Sequence, residues 1–531
     1  MKQTVISFLL PAIVCSYLGC SDSKNTYPPV PADARADSFI KESKPFKIGS
    51  ESYNADFGTM TVRENRSDST SRLVSIPFLC VHSRSTKPAE PMFAFAGGPG
   101  ESNMRWDRGV ASMFLPERDF VLVGYRGVDG STVLDCPEVT RALREEDDPL
   151  SNESLQRIGE AWGASAERWR TKGIDLNRYS MLDCIEDNES VRKALGYERI
   201  DLLSASYGTR VAYLYALKHP EQIFRSAMVS VNPPGRFVWE AGVIDAQLRR
   251  YSSLWSQDSM MRNECPGVYG AMRRVLNTMP RRWLFFTINP GKVRVVTFAL
   301  LFQRKTAAMV FDAFVAADKG DPSGLALMSL AYDYVIPSLM TWGDLASKAV
   351  GADYDSTRDY RYEIDTTVAP LGSPFTTLLW GPLRYSRWPK ESLPEQFRKL
   401  QRSDVQTLLL SGSVDFSTPP EFATNELLPN LNNGRQVILS EYGHVNDMLY
   451  AQPENSRLLL TSFFNTGVPN TSKNSYLAMD FSVGWGFPAI AKLGIGLIAL
   501  VGIAAVGIAV WLIRRYGKRK RAKLIGGATN A

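Results

Sequence analysis

Histidine is scarce: His82, His219 and His444 are the three in 531 residues, so any reaction that needs an imidazole base has three candidates. Cysteine is also scarce, with six, and there is no internal repeat, which excludes a repeat architecture. Charge is missing from Leu493 to Ile513, 21 consecutive residues, and acidic residues are missing from everything after position 513. Seven basic residues lie in that last stretch, so a formal charge of +6 for the whole chain leaves the preceding 513 residues at −1. The basic excess is therefore confined to a tail, and no nucleic-acid partner is expected. What remains, 44% hydrophobic and 22% charged, is ordinary for a globular protein with room for a large core and an additional domain.

The uncharged run is long enough to cross a hydrocarbon core of about 30 Å as a helix. Trp485 and Trp511 flank it and the basic cluster follows it directly, which places the C-terminal tail in the cytoplasm and the preceding chain outside. At the other end Lys2 precedes a mostly apolar stretch, Val5 to Val14, and then Leu18-Gly19-Cys20. This reads as a secretory signal, with Cys20 in the position of a lipidated bacterial cysteine. The expected location is the cell membrane, with the folded part extracytoplasmic.

Export permits disulfides. With Cys15 lost with the signal and Cys20 lipidated, Cys80, Cys136, Cys184 and Cys265 allow three pairings. Cys136 with Cys184 is the favoured pair, because they flank the segment leading to the central strand described next; Cys80 sits in an apolar run.

Between these ends the pattern is α/β. Strand-like runs at Gly58 to Val62 and Leu73 to Val81 have the character of an antiparallel hairpin, whereas Met92 to Ala96 and Phe120 to Gly124 are short and apolar on both faces, like parallel strands. Helical periodicity follows at Ser154 to Arg170 and Ile185 to Leu195, then strand-like runs at Ile200 to Leu203 and Ser226 to Val231. From about 236 to 394 the chain is rich in Trp, Met and Arg and lacks a convincing strand, which implies a mostly helical insert. The sheet resumes at Val405 to Ser411 and Gln436 to Leu439. The expected organisation is a signal at 1–20, a Pro-rich polar tether at 21–45, a core in two parts at 46–235 and 395–465, the helical cap at 236–394, a linker at 466–486, a membrane helix at 487–513 and a tail at 514–531.

The chemistry centres on Ser204-Ala205-Ser206-Tyr207-Gly208. An apolar run ends there in small residues and continues at helical spacing (Val211, Leu214, Tyr215), so Ser206 sits at the apex of a sharp strand-to-helix turn, where the helix dipole favours negative charge. A serine nucleophile needs a base and the base an orienting acid. His82 and His219 read as structural. His444 lies in a turn directly after the last strand, and Asp415 in a turn after the one before, so the order is Ser206, Asp415, His444; Asp447 is the rival acid. Gly97-Gly98-Pro99-Gly100 follows an early strand, and by position the Gly98 and Tyr207 amides converge on an oxyanion. No metal and no cofactor are expected.

Gly97-Gly98-Pro99-Gly100-Glu101-Ser102, Tyr125-Arg126-Gly127-Val128-Asp129-Gly130-Ser131, Ser204-Ala205-Ser206-Tyr207-Gly208-Thr209, Ser411-Gly412-Ser413-Val414-Asp415-Phe416-Ser417-Thr418-Pro419 and Tyr442-Gly443-His444 together resemble the prolyl iminopeptidase and tripeptidyl aminopeptidase branch of the α/β hydrolases over about residues 55–465. The resemblance implies an α/β-hydrolase fold with a helical cap, and a serine exopeptidase whose partner is a peptide substrate. It also implies acidic cap residues that hold the substrate's free amine, for which Glu240 and Asp245 are candidates. Ala96, Gly124 and Ser204 depart from the family's usual residues, which puts narrow proline specificity in doubt. An esterase with the same machinery and a non-catalytic receptor on the same fold are the alternative readings.

Overall fold

The computed structural model describes residues 29–364 and 369–527. Cys20 and the N-terminal apolar stretch lie outside the described residues. One nine-stranded sheet organises the chain, formed by β1 (Ser38–Ile48), β2 (Glu51–Arg63), β3 (Leu73–Val81), β4 (Met92–Phe95), β5 (Phe120–Val123), β6 (Ile200–Ala205), β7 (Ile223–Val229), β10 (Gln406–Gly412) and β11 (Gly434–Leu439). Its order is β1-β2-β3-β5-β4-β6-β7-β10-β11. The pairs from β1 to β5 are antiparallel, and every pair from β5 through β4 to β11 is parallel. β4, β5 and β6 are buried at every residue, as short apolar strands covered by helices on both faces must be.

β1 occupies residues expected to form a tether. Its side chains are mostly exposed and polar, so it lacks an apolar signature; it is held by eleven backbone partners on β2, by Lys41 and Ser43 on Asp56, and by the Phe39 ring stacked 4.8 Å from Phe78. Between β7 and β10 the chain leaves the sheet for a layer of helices running from Ala241–Gln257 to Pro374–Trp380. This layer is interrupted by a hairpin of two-residue strands, β8 (Arg282–Trp283) and β9 (Phe286–Thr287), too short to show in sequence periodicity.

The sheet closes across this insert: Arg225 to Val229 on β7 pair in parallel with Gln406 to Leu410 on β10. A second tie crosses from cap to core. Arg210, on the helix Tyr207–Lys218, is fully buried, bonds the Asn232 carbonyl at 3.1 Å, pairs with Asp353 of the cap helix Trp342–Asp353 at 3.1 Å, and stacks over Phe237.

The stretch expected to link the domain to the membrane is not a free linker. Glu441 accepts a hydrogen bond from the Met479 amide and one from the Tyr476 hydroxyl, and Phe481 is buried against Trp255, with ring centroids 5.2 Å apart. Its polar composition hides two apolar anchors. The helix Phe487–Gly527 then begins on the cap: Phe487 and Ala491 are buried, Pro488 lies against Gly324, and Lys492 pairs with Asp321 at 2.6 Å. Phe487–Gly517, with a mean hydropathy of 2.6, is a candidate membrane span by length and composition.

The disulfide expected between Cys136 and Cys184 is not formed; Cys80, Cys136, Cys184 and Cys265 are all free and buried. Cys136 stands at the start of the helix Pro137–Glu145 with its thiol toward the Leu134 carbonyl, and Cys184 lies inside the helix Met181–Ala194. Proximity in sequence to the central strand was no measure of thiol separation. Burial pushes the thiols of Cys80, Cys136 and Cys184 up to about 12, which leaves them inert. Alkylation followed by peptide mass analysis is expected to leave these three untouched in the native protein. All three are expected to be modified in denaturant without reductant.

Candidate active site

β6 ends at Ala205, and the chain turns through Ser206 at φ 51°, ψ −121°, a conformation that L-residues rarely adopt. It is held because the Ser206 amide donates to the Val229 carbonyl on β7 at 2.9 Å while Thr209 returns to the Ser206 carbonyl through its amide and its hydroxyl. The turn brings the next helix against β4 so closely that a Cβ on Gly208 would overlap the Phe95 carbonyl. Two positions before the apex a larger residue is accommodated: the Ser204 hydroxyl donates to the Ala227 carbonyl at 3.2 Å.

His444 and Asp415 come to Ser206 from the other part of the sheet. The His444 Nε2 atom lies 2.9 Å from the Ser206 hydroxyl, and its Nδ1 lies 3.0 and 2.9 Å from the two Asp415 carboxylate oxygens. Asp415 is fully buried and accepts from the Ser417 and Thr418 amides and the Thr418 hydroxyl. A carboxylate so fixed holds the Nδ1 proton of the imidazole and leaves Nε2 free to accept from the serine. The histidine loop is itself pinned: the His444 amide donates to the Phe302 carbonyl of the cap, the Val445 amide to the Ser230 hydroxyl, and Asp447 accepts from the amides of Gly443 and Arg304. Asp447, the rival acid, thus ties the histidine loop to the cap, and burial raises its carboxyl to about 6.

The glycine loop after β4 forms the facing wall. Asn103 anchors it by accepting from the Ala96 amide and donating to the Ala94 and Val123 carbonyls, and Asp129 accepts from Ser102, the Asn103 amide and the Tyr125 amide. A Cβ on Gly97 would stand 2.8 Å from the Ser206 Cβ and 3.5 Å from its hydroxyl oxygen, so only a glycine lets the loop backbone approach the serine this closely. Gly98 follows at φ 77°, and the Tyr207 amide opens the helix on the opposite side.

The cap holds this loop from above. Asp344 accepts from the Gly100 amide at 2.9 Å, the Thr341 amide donates to the Gly100 carbonyl at 2.8 Å, and Asp344 is paired with fully buried Lys348, whose ammonium also donates to the Arg126 carbonyl. Burial raises the Asp344 carboxyl to about 6 against the pull of Lys348. In the sequence this pair is an i,i+4 Asp and Lys, the mark of an exposed helix face, and nothing in its spacing sets it apart.

Glu240 and Asp245 are not at this site. Glu240 is about half exposed and lies 3.4 Å from Arg236, and Asp245 is taken up by Arg249 and the Tyr269 hydroxyl. Neither lines the cavity of about 1740 Å³ above Ser206, whose walls include His444, the glycine loop and the cap aromatics Trp239, Phe302 and Phe375. The remaining histidines stand elsewhere: His219 bonds Glu186 at 2.8 Å, and His82 lies between Asp56 and Asp119. Cys80, His82 and Asp119 bring their donor atoms within 4.8 Å of one another, a donor set a metal could use, but Asp56 and the Tyr197 hydroxyl already bond its members.

A mostly parallel sheet with a serine at a strained strand-to-helix turn, and a histidine and an aspartate from the last two strand ends, defines the α/β-hydrolase fold. In agreement, a family model described as the alpha/beta hydrolase fold matches residues 90–258. Tripeptidyl aminopeptidase from Streptomyces coelicolor is 23% identical over 386 residues, 65% of this chain and 69% of that one. Solved structures similar to the chain include an α/β hydrolase enzyme from a Medee basin deep-sea metagenome library (13% identity, TM-score 0.36, covering 75% of this chain and 97% of that one). A thermophilic esterase from Thermogutta terrifontis is another (13% identity, TM-score 0.34, covering 76% and 98%).

Two substitutions test this geometry. Gly97→Ala must displace either the loop or the serine, and kcat on any turned-over acyl substrate is expected to fall by about 100-fold with the fold retained. Lys348→Met removes the partner of a buried carboxylate and is expected to cost about 3–5 kcal/mol in denaturant unfolding.

Proposed function

We propose that the protein is a membrane-tethered, extracytoplasmic serine aminopeptidase that acts on short peptides. The observation that carries the reading is the continuous hydrogen-bonded relay from Asp415 through His444 to Ser206 at the floor of a large capped cavity. In the first step His444 Nε2 takes the proton of Ser206 as its oxygen attacks the scissile carbonyl, and Asp415 stabilises the imidazolium that forms. The Gly98 and Tyr207 amides, the latter at a helix N-terminus, donate to the oxyanion. His444 then passes its proton to the leaving amine, the acyl-enzyme forms on Ser206, and the same histidine activates water to release the N-terminal fragment.

Peptide rather than ester as substrate is supported by the linked motifs shared with the aminopeptidase branch and by the similarity to a tripeptidyl aminopeptidase. The tether is supported by the candidate span Phe487–Gly517, and an extracytoplasmic hydrolase by the basic residues that follow the span, which favour a cytoplasmic tail.

The test uses the full chain in detergent. A serine-directed fluorophosphonate is expected to label the protein at Ser206 and to leave Ser206→Ala unlabelled. On peptidyl anilides kcat is expected to fall by about 10⁶-fold in Ser206→Ala and by about 10⁴-fold in Asp415→Asn, where the imidazole loses its orienting acceptor. Turnover of short acyl esters with no turnover of any aminoacyl or peptidyl anilide would replace the peptidase with an esterase. Absence of labelling would leave a non-catalytic hydrolase fold.

A further inference from the structure

One turn of the cap presents two adjacent large apolar side chains to solvent. The hairpin of β8 and β9 carries Arg281-Arg282-Trp283-Leu284-Phe285-Phe286, and its turn residues Leu284 and Phe285 are 61% and 69% exposed. Leu284 has φ 53°, the left-handed region for which a two-residue turn ordinarily takes glycine or asparagine. A bulky apolar residue is thus held in a strained conformation where a small or polar one is the relaxed choice. Beneath the tip the hairpin is well fastened. Trp283 and Phe286 stack at 6.0 Å and pack on the cap core, the Ile288 amide donates to the Arg281 carbonyl, and the Asn289 amide donates to the Ser329 hydroxyl at 2.9 Å. Residues 279–290 include no acidic residue, and among the described residues the exposed Arg281 and Arg282 form no ion pair.

One helix relates this turn to the candidate span. Ser323–Val335 packs on the span, with Gly324 against Pro488, and the same helix carries Ser329, which holds the hairpin. At 1.5 Å per residue the two attachments are about 7.5 Å apart along it. The side of the span turned to the cap, Phe487, Pro488 and Ala491, continues through the partly covered Gly494, Ile495 and Ile498, so cap packing overlaps the uncharged run that begins at Leu493. A span packed in this way sets the cap on the bilayer surface with no spacer. The headgroup layer is about 5–7 Å deep on each side. The tip, four to five residues from Asn289, extends at most about 18 Å, which brings that layer within its reach. Aromatic and leucine side chains beside arginines also match the layer chemically, since the apolar groups leave water while the guanidinium groups meet lipid phosphates.

We propose that this hairpin docks on the anionic surface of the bilayer that the candidate span crosses, with Leu284 and Phe285 inserted among the acyl chains and Arg281 and Arg282 at the lipid phosphates. This rests on the tether in the reading above and adds to it a second lipid contact on the cap. Continuity with the span and the unpaired basic charge favour lipid over a second copy of the chain as the occupant.

The experiment places the full chain in phosphatidylcholine vesicles, with and without phosphatidylglycerol, that carry a phospholipid with a photoactivatable diazirine in its acyl chain. Lipid adducts are then mapped by peptide mass analysis. With phosphatidylglycerol present, adducts are expected on the span and on Trp283 to Phe286. Leu284→Ser combined with Phe285→Ser is expected to lower the hairpin yield by about tenfold or more while span adducts stay unchanged. Arg281→Gln with Arg282→Gln is expected to lower it by about fivefold for each arginine, as is leaving out phosphatidylglycerol. Thermal unfolding reports whether each variant folds, and where one does not, the wild-type map decides alone. Wild-type adducts on the span with none on the hairpin overturn the docking and leave the tether standing; no adducts on the span defeat the tether itself. Hairpin adducts at full yield in the double serine variant also overturn the docking. Adducts confined to the span, with a detergent-particle mass that falls in that variant, assign the tip to a second copy instead.

Discussion

The contact on which the rest of the structure depends is the 2.9 Å hydrogen bond between the Ser206 hydroxyl and the His444 ring. Its partners are 238 residues apart, with the whole cap inserted between them, and a side-chain contact worth about 1 kcal/mol cannot by itself hold two parts of a protein together. The geometry is held by backbone. β7 carries the Val229 carbonyl that fixes the serine turn, and the same strand pairs with β10, whose C-terminal turn delivers Asp415. Ser230, the residue after β7, donates its amide to the Leu410 carbonyl on β10 and accepts from the Val445 amide beside the histidine. One strand end therefore positions all three members, and the relay needs only to occupy the gap the sheet leaves.

The cap takes part in that positioning as well as covering the cavity. Three of its backbone or side-chain groups reach into the site: the Phe302 carbonyl on the His444 amide, Asp344 on the Gly100 amide, and Thr341 on the Gly100 carbonyl. Two buried ion pairs stand behind them, Lys348 with Asp344 and Arg210 with Asp353. Buried pairs of this kind contribute little net stability against an apolar replacement, yet removing one partner is costly, so they act mainly to fix register between parts that could otherwise pack in more than one way. Here the register they fix is that of the glycine loop against the serine. A cap wired in this way cannot lift as a rigid body without breaking its contacts to the glycine loop and the histidine loop.

The legibility of the sequence follows the range of the physical signal. Features set by local backbone demands were readable: an apex serine flanked by small residues, a glycine run after a strand, a 21-residue uncharged segment. The parallel strands were readable because full burial leaves apolar runs. The cysteine pairing and the amine-binding acids in the cap were not, since each depends on where a side chain points after distant elements have packed. Asp245 shows the limit well: as a carboxylate on a cap helix it fits the requirement in kind, but Arg249 one turn away and Tyr269 on a neighbouring helix claim both of its oxygens.

The same reasoning applies to the segment from Met479 to Ala491. Polar composition suggested a loose linker, and the apolar residues within it are too few to form a periodic pattern. In the fold, however, Phe481 enters the aromatic cluster of Trp255 and Phe311, Phe487 and Ala491 are buried, and Lys492 is paired with Asp321. Each buried aromatic side chain of this kind contributes about 1.5–3 kcal/mol by removal from water, which offsets the roughly 1–2 kcal/mol of backbone entropy lost in ordering its residue. The first turns of the long apolar helix are thus part of the cap's core, and the cap in turn is fastened to the glycine loop. A continuous packed path therefore runs from the base of the candidate membrane span through the cap to the glycine loop that walls the cavity.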